Sequence, residues 1–441
     1  MKKFFIRLRR LRKGSSLTSI FFRGATASFS IKVLSVGTSF FMQVFLARLL
    51  GVEEYGIYVF AMSWMNYFIL TGRLGMDMAS VRFVASYNAE KKWSLLNGFI
   101  KRSTTISLLS SLIVAAAILA VLSFKEVTGS PHLRLTLKIS VWLIPVTALI
   151  LINEERLRAL KRIVQSQLPE HIIRPVMLTL GLFIVYFLIG KKIESYTAMT
   201  INCIASFLTL FMTLYFFRKA LPSEASGAKP EYNMKVWVPV SFSMLLITSL
   251  NIFKAKTDVI MVGLITSATD VGIYNATKQL TTIMLFGLVA ANTIIGPMVS
   301  ELYAEKRMKE LQKIVTLAAR GIVLFTLPIF LLFLFKGEMV LGFFGDKFRQ
   351  GHLALAIIAV GQLVNAFAGP VGFILTMTGH HFSVTKILGY GVLLNILLNL
   401  IFIPRWGING AAVSHMVSTI FWNVVLAYLS IKRLGIKGTA L

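Results

Sequence analysis

Six basic residues, Arg23, Lys32, Arg73, Lys254, Lys256 and Lys278, stand within or near the ends of long apolar runs, where the only comparably placed acids are Asp77 and Asp258. A charge at the centre of an inserting helix costs roughly 2.5 to 3.5 kcal/mol, so each of these must face water, a partner or a ligand. The set is mainly cationic, and Arg and Lys suit the charge and acceptor oxygens of an anionic ligand. Arg73 and Asp77 stand at i, i+4, and Lys254 and Asp258 repeat that spacing, so each pair is expected to meet on one helix face. The plainer reading of Arg73 with Asp77 is a local ion pair that lets a polar helix end sit in lipid. Lys254 also shares a polar stripe with Thr248, Asn251 and Asp258 at spacings of three and four, the pattern of a cavity wall. Asn275, Gln279 and Thr282 keep the same spacing, as do Gln362, Asn365, Gly369, Gly372 and Thr376. These two stripes, and the pair Asn395 and Asn399, suit either hydrogen bonds to ligand hydroxyls or close packing between helices. If an ion gradient drives a cycle, Asp77 and Asp258 are the acids placed to sense it.

Composition dictates the elements that hold these residues. A 441-residue chain with 56% apolar residues and a mean hydropathy of +0.75 could not fold in water without large exposed apolar surfaces, so it reads as an integral membrane protein. Apolar runs of about 20 residues, the length that crosses roughly 30 Å of hydrocarbon, recur twelve times. They fall approximately at 26–49, 56–79, 103–124, 136–153, 174–190, 195–217, 237–264, 271–298, 315–336, 352–376, 384–404 and 408–431. The expected fold class is all-α and polytopic. One cysteine, Cys203, leaves no disulfide framework and no thiolate metal site, and no cofactor is expected.

The net charge of +28 is spread over connecting loops rather than gathered on one soluble face, which argues against nucleic acid as a partner. With the N-terminus taken as cytoplasmic, about 30 of the 46 Lys and Arg fall in tails and loops on that side and about 10 on the other. That bias puts both termini in the cytoplasm, with the chain in the cell membrane. The opening "KKFFIRLRRLRK" sets Phe4, Leu8 and Leu11 on one helical face among cations, and should lie on anionic lipids. It is not expected to be a cleaved signal, because the next apolar run is too long and carries Lys32.

The two halves of the chain echo each other. "LLGVEEYGIY" at 49–58 recurs loosely as "LITSATDVGIY" at 264–274, and "VASYNAEKK" at 84–92 as "VSELYAEKR" at 299–307. Gly56 and Gly272 are 216 residues apart, and Ala89 and Ala304 are 215 apart. Such a repeat predicts two six-helix lobes of like orientation, related by a pseudo-twofold axis along the membrane normal. The expected organisation is a basic cytoplasmic segment over 1–25, lobes over 26–217 and 237–431, a linker over 218–236 and a tail over 432–441. In transporters built from repeats the substrate sits between the lobes, which rock to alternate its access.

At this point the chain resembles a known family. "ARLLGVEEYGIYVFAMS", "GMDMASVRFVA", "DVIMVGLITSATDVGIYNATKQL" and "NLIFIPRWGINGAAVSH" are similar to segments of the polysaccharide or oligosaccharide flippases of the multidrug, oligosaccharidyl-lipid and polysaccharide exporter superfamily. The resemblance runs from about residue 20 to 430. It implies a V-shaped transporter that moves an isoprenoid-diphosphate-linked sugar across the cytoplasmic membrane, with glycan-assembly enzymes as candidate partners. The branch that flips peptidoglycan precursor carries an Arg-Asp pair where this chain has Met42 and Gln43, which counts against that substrate.

On these readings Lys32, Arg73, Lys254, Lys256 and Lys278 would bind the substrate anion, with Thr248, Asn251, Asn275, Gln279, Gln362 and Asn365 lining the cavity. Arg82 reads instead as a cytoplasmic anchor. Enzymatic motifs are largely missing: there is no GxxxxGK loop, no HExxH and no nucleophile elbow. Glu154 and Glu155 in "NEERLRALKR" are adjacent in what reads as a short basic loop, and His380 and His381 lack acidic or sulfur neighbours. A drug-cation exporter of the same superfamily is the alternative, though it would want acids in its cavity. A membrane glycan polymerase or glycosyltransferase would want a larger outer loop than 337–351.

Overall fold

The structure, a computed structural model, describes residues 17–124, 130–190 and 193–439; for residues 17–30, Lys32, Phe124, Ile189 and Pro297 it describes the backbone alone. The expectation for Lys32 as a cavity cation, and the side chain of Arg23, therefore lie outside the described side chains. The described residues are helical and contain no strand. Among the described residues ten helices are long and apolar enough to cross a membrane. Two of them, Val33–Arg73 with 41 residues and His381–Leu434 with 54, are too long for one crossing.

Each of these two is broken at a glycine. Gly51 has φ 75° and ψ 171°, and Gly407 has φ 55° and ψ −132°, conformations that side chains with a Cβ rarely adopt. The Tyr55 hydroxyl donates to Gln43 Oε1 at 2.8 Å. In an unbroken helix those residues would sit about 18 Å apart along the axis, so the chain folds back at Gly51. Gly410 likewise packs against the Phe402 carbonyl across Gly407. Dividing both helices gives twelve apolar segments, in agreement with the twelve runs in the sequence.

Of the boundaries that differ from the sequence expectation, three bear on charged residues. The second run does not continue smoothly through 79: its helix ends at Arg73, Leu74 and Gly75 take φ of 50° and 73°, and a new helix spans Met76–Ala89. The carbonyls freed there are taken up by serines, with Ser110 Oγ donating to Gly72 O at 2.5 Å and Ser107 Oγ to Arg73 O at 3.3 Å. The segment assigned as a basic loop from 153 is helix to Ala159, because Asn153, Glu154 and Arg156 are buried and bonded to neighbouring side chains. The fifth crossing begins at Ile163, well before 174, and passes through a π turn at Pro169–Ile173.

The repeated motifs meet. A Cβ at Gly56 would strike the Ala268 carbonyl, and one at Gly272 would strike the Val52 carbonyl. Val52 and Ala268 are related by the same offset of 216 as the two glycines. Reciprocal contact of this kind is the local signature of a twofold relation. Around it, Asn275 Nδ2 donates to the Tyr55 hydroxyl at 2.8 Å, and Tyr55 and Phe348 meet edge to face at 5.8 Å between ring centroids. Arg48 Nε donates to Phe343 O at 2.6 Å beside them. These contacts bind the two halves of the chain together at the end of the bundle where the chain folds back at Gly51. At the other end, residues 228–237 lie along the first half, with Asn97 Nδ2 donating to Ala228 O at 2.6 Å and Trp237 Nε1 to the Tyr87 hydroxyl at 3.0 Å.

Candidate functional site

A cavity of about 760 Å³ lies between residues of the first half, from Ser39 to Asn202, and of the second, from Asn251 to Trp422. Arg73, Lys254, Lys256, Lys278, Asn251, Asn275, Gln279, Gln362 and Asn365 all line it. Thr248 does not; its hydroxyl bonds back to Met244 O at 3.0 Å, one turn below, so the expected stripe enters the cavity only from Asn251 onward. Asp77 and Asp258 are also absent from the wall, because both are buried behind the cations they hold.

In the first half, Arg73 Nη1 bonds Asp77 Oδ2 at 2.6 Å. The pair spans the break at Leu74 and Gly75 instead of lying on one continuous helix, and it ties the two helical pieces together. A second pair, which the sequence reading missed, joins Arg174 to Glu170. Arg174 Nε and Nη2 also donate to Asn202 Oδ1 at 3.2 and 3.1 Å, and Asn202 Nδ2 donates to the Tyr58 hydroxyl at 2.9 Å. Nearby His171 lines the cavity and contacts Glu154 Oε1 at 3.2 Å. Glu170 and Arg174 carry the i, i+4 spacing of Arg73 and Asp77; starting the fifth run at 174 concealed the acid.

In the second half the expected partner of Asp258 is wrong. Asp258 Oδ2 accepts from Lys278 Nζ at 3.0 Å and contacts His415 Nδ1 at 2.9 Å, while Oδ1 accepts from Asn399 Nδ2 at 3.1 Å. A carboxylate that is 1% exposed needs several donors, and three other helical segments supply them where Lys254 could supply one. Lys254 points instead into the cavity, its Nζ 4.0 Å from the ring centre of Trp422. Asn399 Nδ2 also bonds Asn395 Oδ1 at 3.1 Å, which places that pair behind the wall rather than on it. His415, Thr419 and Trp422 follow the three-four spacing of one helix face, the signal that would have found them.

The cavity's electrostatics follow from this pairing. Arg73, Arg174, Lys254, Lys256 and Lys278 line it, and Asp77, Glu170 and Asp258 neutralise three of them. Among the described residues a surplus of two positive charges remains, carried by Lys254 and Lys256, for neither of which an ion pair is found. Amide and hydroxyl groups from both halves surround that charge. The arrangement can hold an anion of about two charges bearing a polar, hydroxyl-rich group. Among the described residues that line it, no nucleophile is hydrogen-bonded to a base.

A family model described as polysaccharide biosynthesis protein matches residues 21–303, and a second, MatE, matches residues 239–401. The probable low-salt glycan biosynthesis flippase Agl15 of Haloferax volcanii is 26% identical over 187 residues, which cover 42% of this chain and 39% of that protein. The chain thus spans well under half the length of this relative. A lipid II flippase MurJ structure, in an inward closed conformation, superposes with a TM-score of 0.70 at 17% identity, covering 93% of this chain and 87% of that one. An inward-facing multidrug resistance MATE family transporter of the MOP superfamily also gives a TM-score of 0.70, at 14% identity over 93% and 98%. At these identities the likeness shows the fold. Since its first model match takes in well over half of its length, the chain belongs to the polysaccharide biosynthesis protein family, and it shares the fold of these two membrane transporters.

Proposed function

We propose that the protein carries an isoprenoid-diphosphate-linked oligosaccharide, of the kind used as a polysaccharide or O-antigen repeat unit, from the cytoplasmic to the outer leaflet. The single observation that carries this reading is the cavity between the two halves, with its surplus of two positive charges among neutral amides. A diphosphate diester supplies the matching charge, and sugar hydroxyls supply partners for Gln279, Gln362 and Asn365. Residues 26–217 and 237–431 act as the two rocking lobes, with both termini cytoplasmic as the basic loops dictate. In this arrangement the reciprocal packing of Gly56 and Gly272 closes the outer side, and the cavity is reached from the cytoplasmic side. Asp258, bonded directly to a lysine of the cavity wall, is the better placed of the two acids to link an ion gradient to substrate binding. Anionic lipids would hold the N-terminal basic segment, and the enzymes that assemble the glycan would deliver the substrate.

The MATE-like fold also suits a drug-cation exporter, but the surplus of positive charge opposes a cationic cargo. The test is depletion of the protein in cells with an intact glycan pathway. Lipid-linked oligosaccharide should accumulate, and in spheroplasts its sugar should be shielded from an added lectin. Unchanged lectin labelling, together with new sensitivity to lipophilic cations, would assign the protein to the exporters.

A further inference from the structure

The cavity's cations differ in kind between the two halves. Arg73 is 7% exposed and held by Asp77, and Arg174 is held by Glu170 and Asn202. Drawing Arg73 onto a ligand would leave the Asp77 carboxylate buried and unpaired, and drawing Arg174 would set the like charge of Glu170, itself on the cavity wall, beside the ligand anion. Lys254 and Lys256 have no carboxylate to abandon. Lys254 sits over Trp422, and Lys278, across the gap on the next helix, is bridged to Asp258 and to Ala255 O at 2.9 Å. Three lysines from Met234–Ile265 and Ala268–Met284 thus line one cavity, and one acid, Asp258, lies behind them.

On the flippase reading above, we propose that the diphosphate docks on the second half of the chain alone, against Lys254 and Lys256, with Trp422 positioning Lys254. Arg73 and Arg174 act as internal struts of the first half. Lysine suits this duty because a mobile point charge with three donors can follow a diphosphate without fixing its geometry, and can release it. An indole face beside the ammonium holds the long stem near the ligand and adds no competing anion. Lys278 would approach the diphosphate only as far as its bond to Asp258 allows, which makes it a weaker third contact.

The experiment titrates the purified full chain in detergent with farnesyl diphosphate, with farnesol as the uncharged control, by calorimetry. Wild-type protein should bind the diphosphate and not the alcohol. The double variant Lys254→Gln, Lys256→Gln should bind at least tenfold more weakly, Lys254→Arg, Lys256→Arg should recover most of the affinity, and Trp422→Leu should fall between. Neutralising a strut with its own partner, as in Arg174→Gln, Glu170→Gln, should have the smaller effect. The melting temperature of each unliganded variant identifies any that fails to fold, and the Arg double variant then carries the test. Wild-type affinity in the Lys→Gln double variant, with a tenfold loss in the Arg174 and Glu170 variant, would move the diphosphate to the first half and leave the flippase reading intact. No binding of farnesyl diphosphate by wild type would contradict that reading itself.

Discussion

Asp258→Leu should lower the stability of the folded protein by about 3–5 kcal/mol, the usual cost of removing one partner from a buried ion pair. The side chain is almost fully buried, and its loss strands the Lys278 ammonium while removing an acceptor from Asn399 and the contact to His415. The same network makes a second, stricter expectation. Lys278→Met in the Asp258→Leu background should recover at least half of the loss, because replacing both partners by apolar groups removes the uncompensated charge. A double-mutant cycle on membrane abundance and melting temperature measures this coupling. Additive losses would mean that Lys278 and Asp258 do not depend on each other.

Gly56→Val should prevent the two halves from meeting at this end of the bundle as they do here. The added side chain meets the backbone carbonyl of Ala268, which cannot swing aside as a flexible side chain could. Overpacking of this kind costs about 1–3 kcal/mol, enough to shift a two-state balance roughly 5- to 150-fold. Gly272→Val should act alike through the Val52 carbonyl, since the two positions are equivalent by the repeat. The measurement is crosslinking between Val52→Cys and Ala268→Cys, with and without the glycine variants, with transport recorded in parallel. Yield and transport should fall together. Undiminished crosslinking in Gly56→Val would show that the interface tolerates a side chain and that its closeness is not needed.

The sequence exposed the features that depend on isolation or on repetition. Charges such as Lys254 and Lys278 stand out in apolar runs because lipid penalises them, and the offset between Gly56 and Gly272 is visible because both copies need a residue without a side chain at one contact. The fold-backs at Gly51 and Gly407 were legible as the short gaps between adjacent runs. What the sequence hid was pairing across space. Asp258 finds His415 at 157 positions' separation, and no local spacing distinguishes that from the nearer Lys254. The break at Leu74 and Gly75 was concealed because Arg73 and Asp77 keep across it the i, i+4 spacing of a continuous helix, and serines from another helix satisfy the freed carbonyls. Arg174 was overlooked because the fifth run was started at it, whereas the helix begins at Ile163 and continues through a π turn at Pro169–Ile173 that brings in Glu170.

The central claim is that this chain moves an isoprenoid-diphosphate-linked sugar between leaflets. The direct measurement places the purified protein in sealed vesicles loaded with such a lipid bearing a labelled sugar, and follows cleavage by a glycosidase added outside. Protein-free vesicles should lose only the label already in the outer leaflet, and vesicles with wild-type protein should lose nearly all of it, at a rate that falls at least tenfold in the Lys254→Gln, Lys256→Gln variant. Cleavage that stops at the protein-free level with wild-type protein, in vesicles where the same preparation transports a lipophilic cation, would contradict the account.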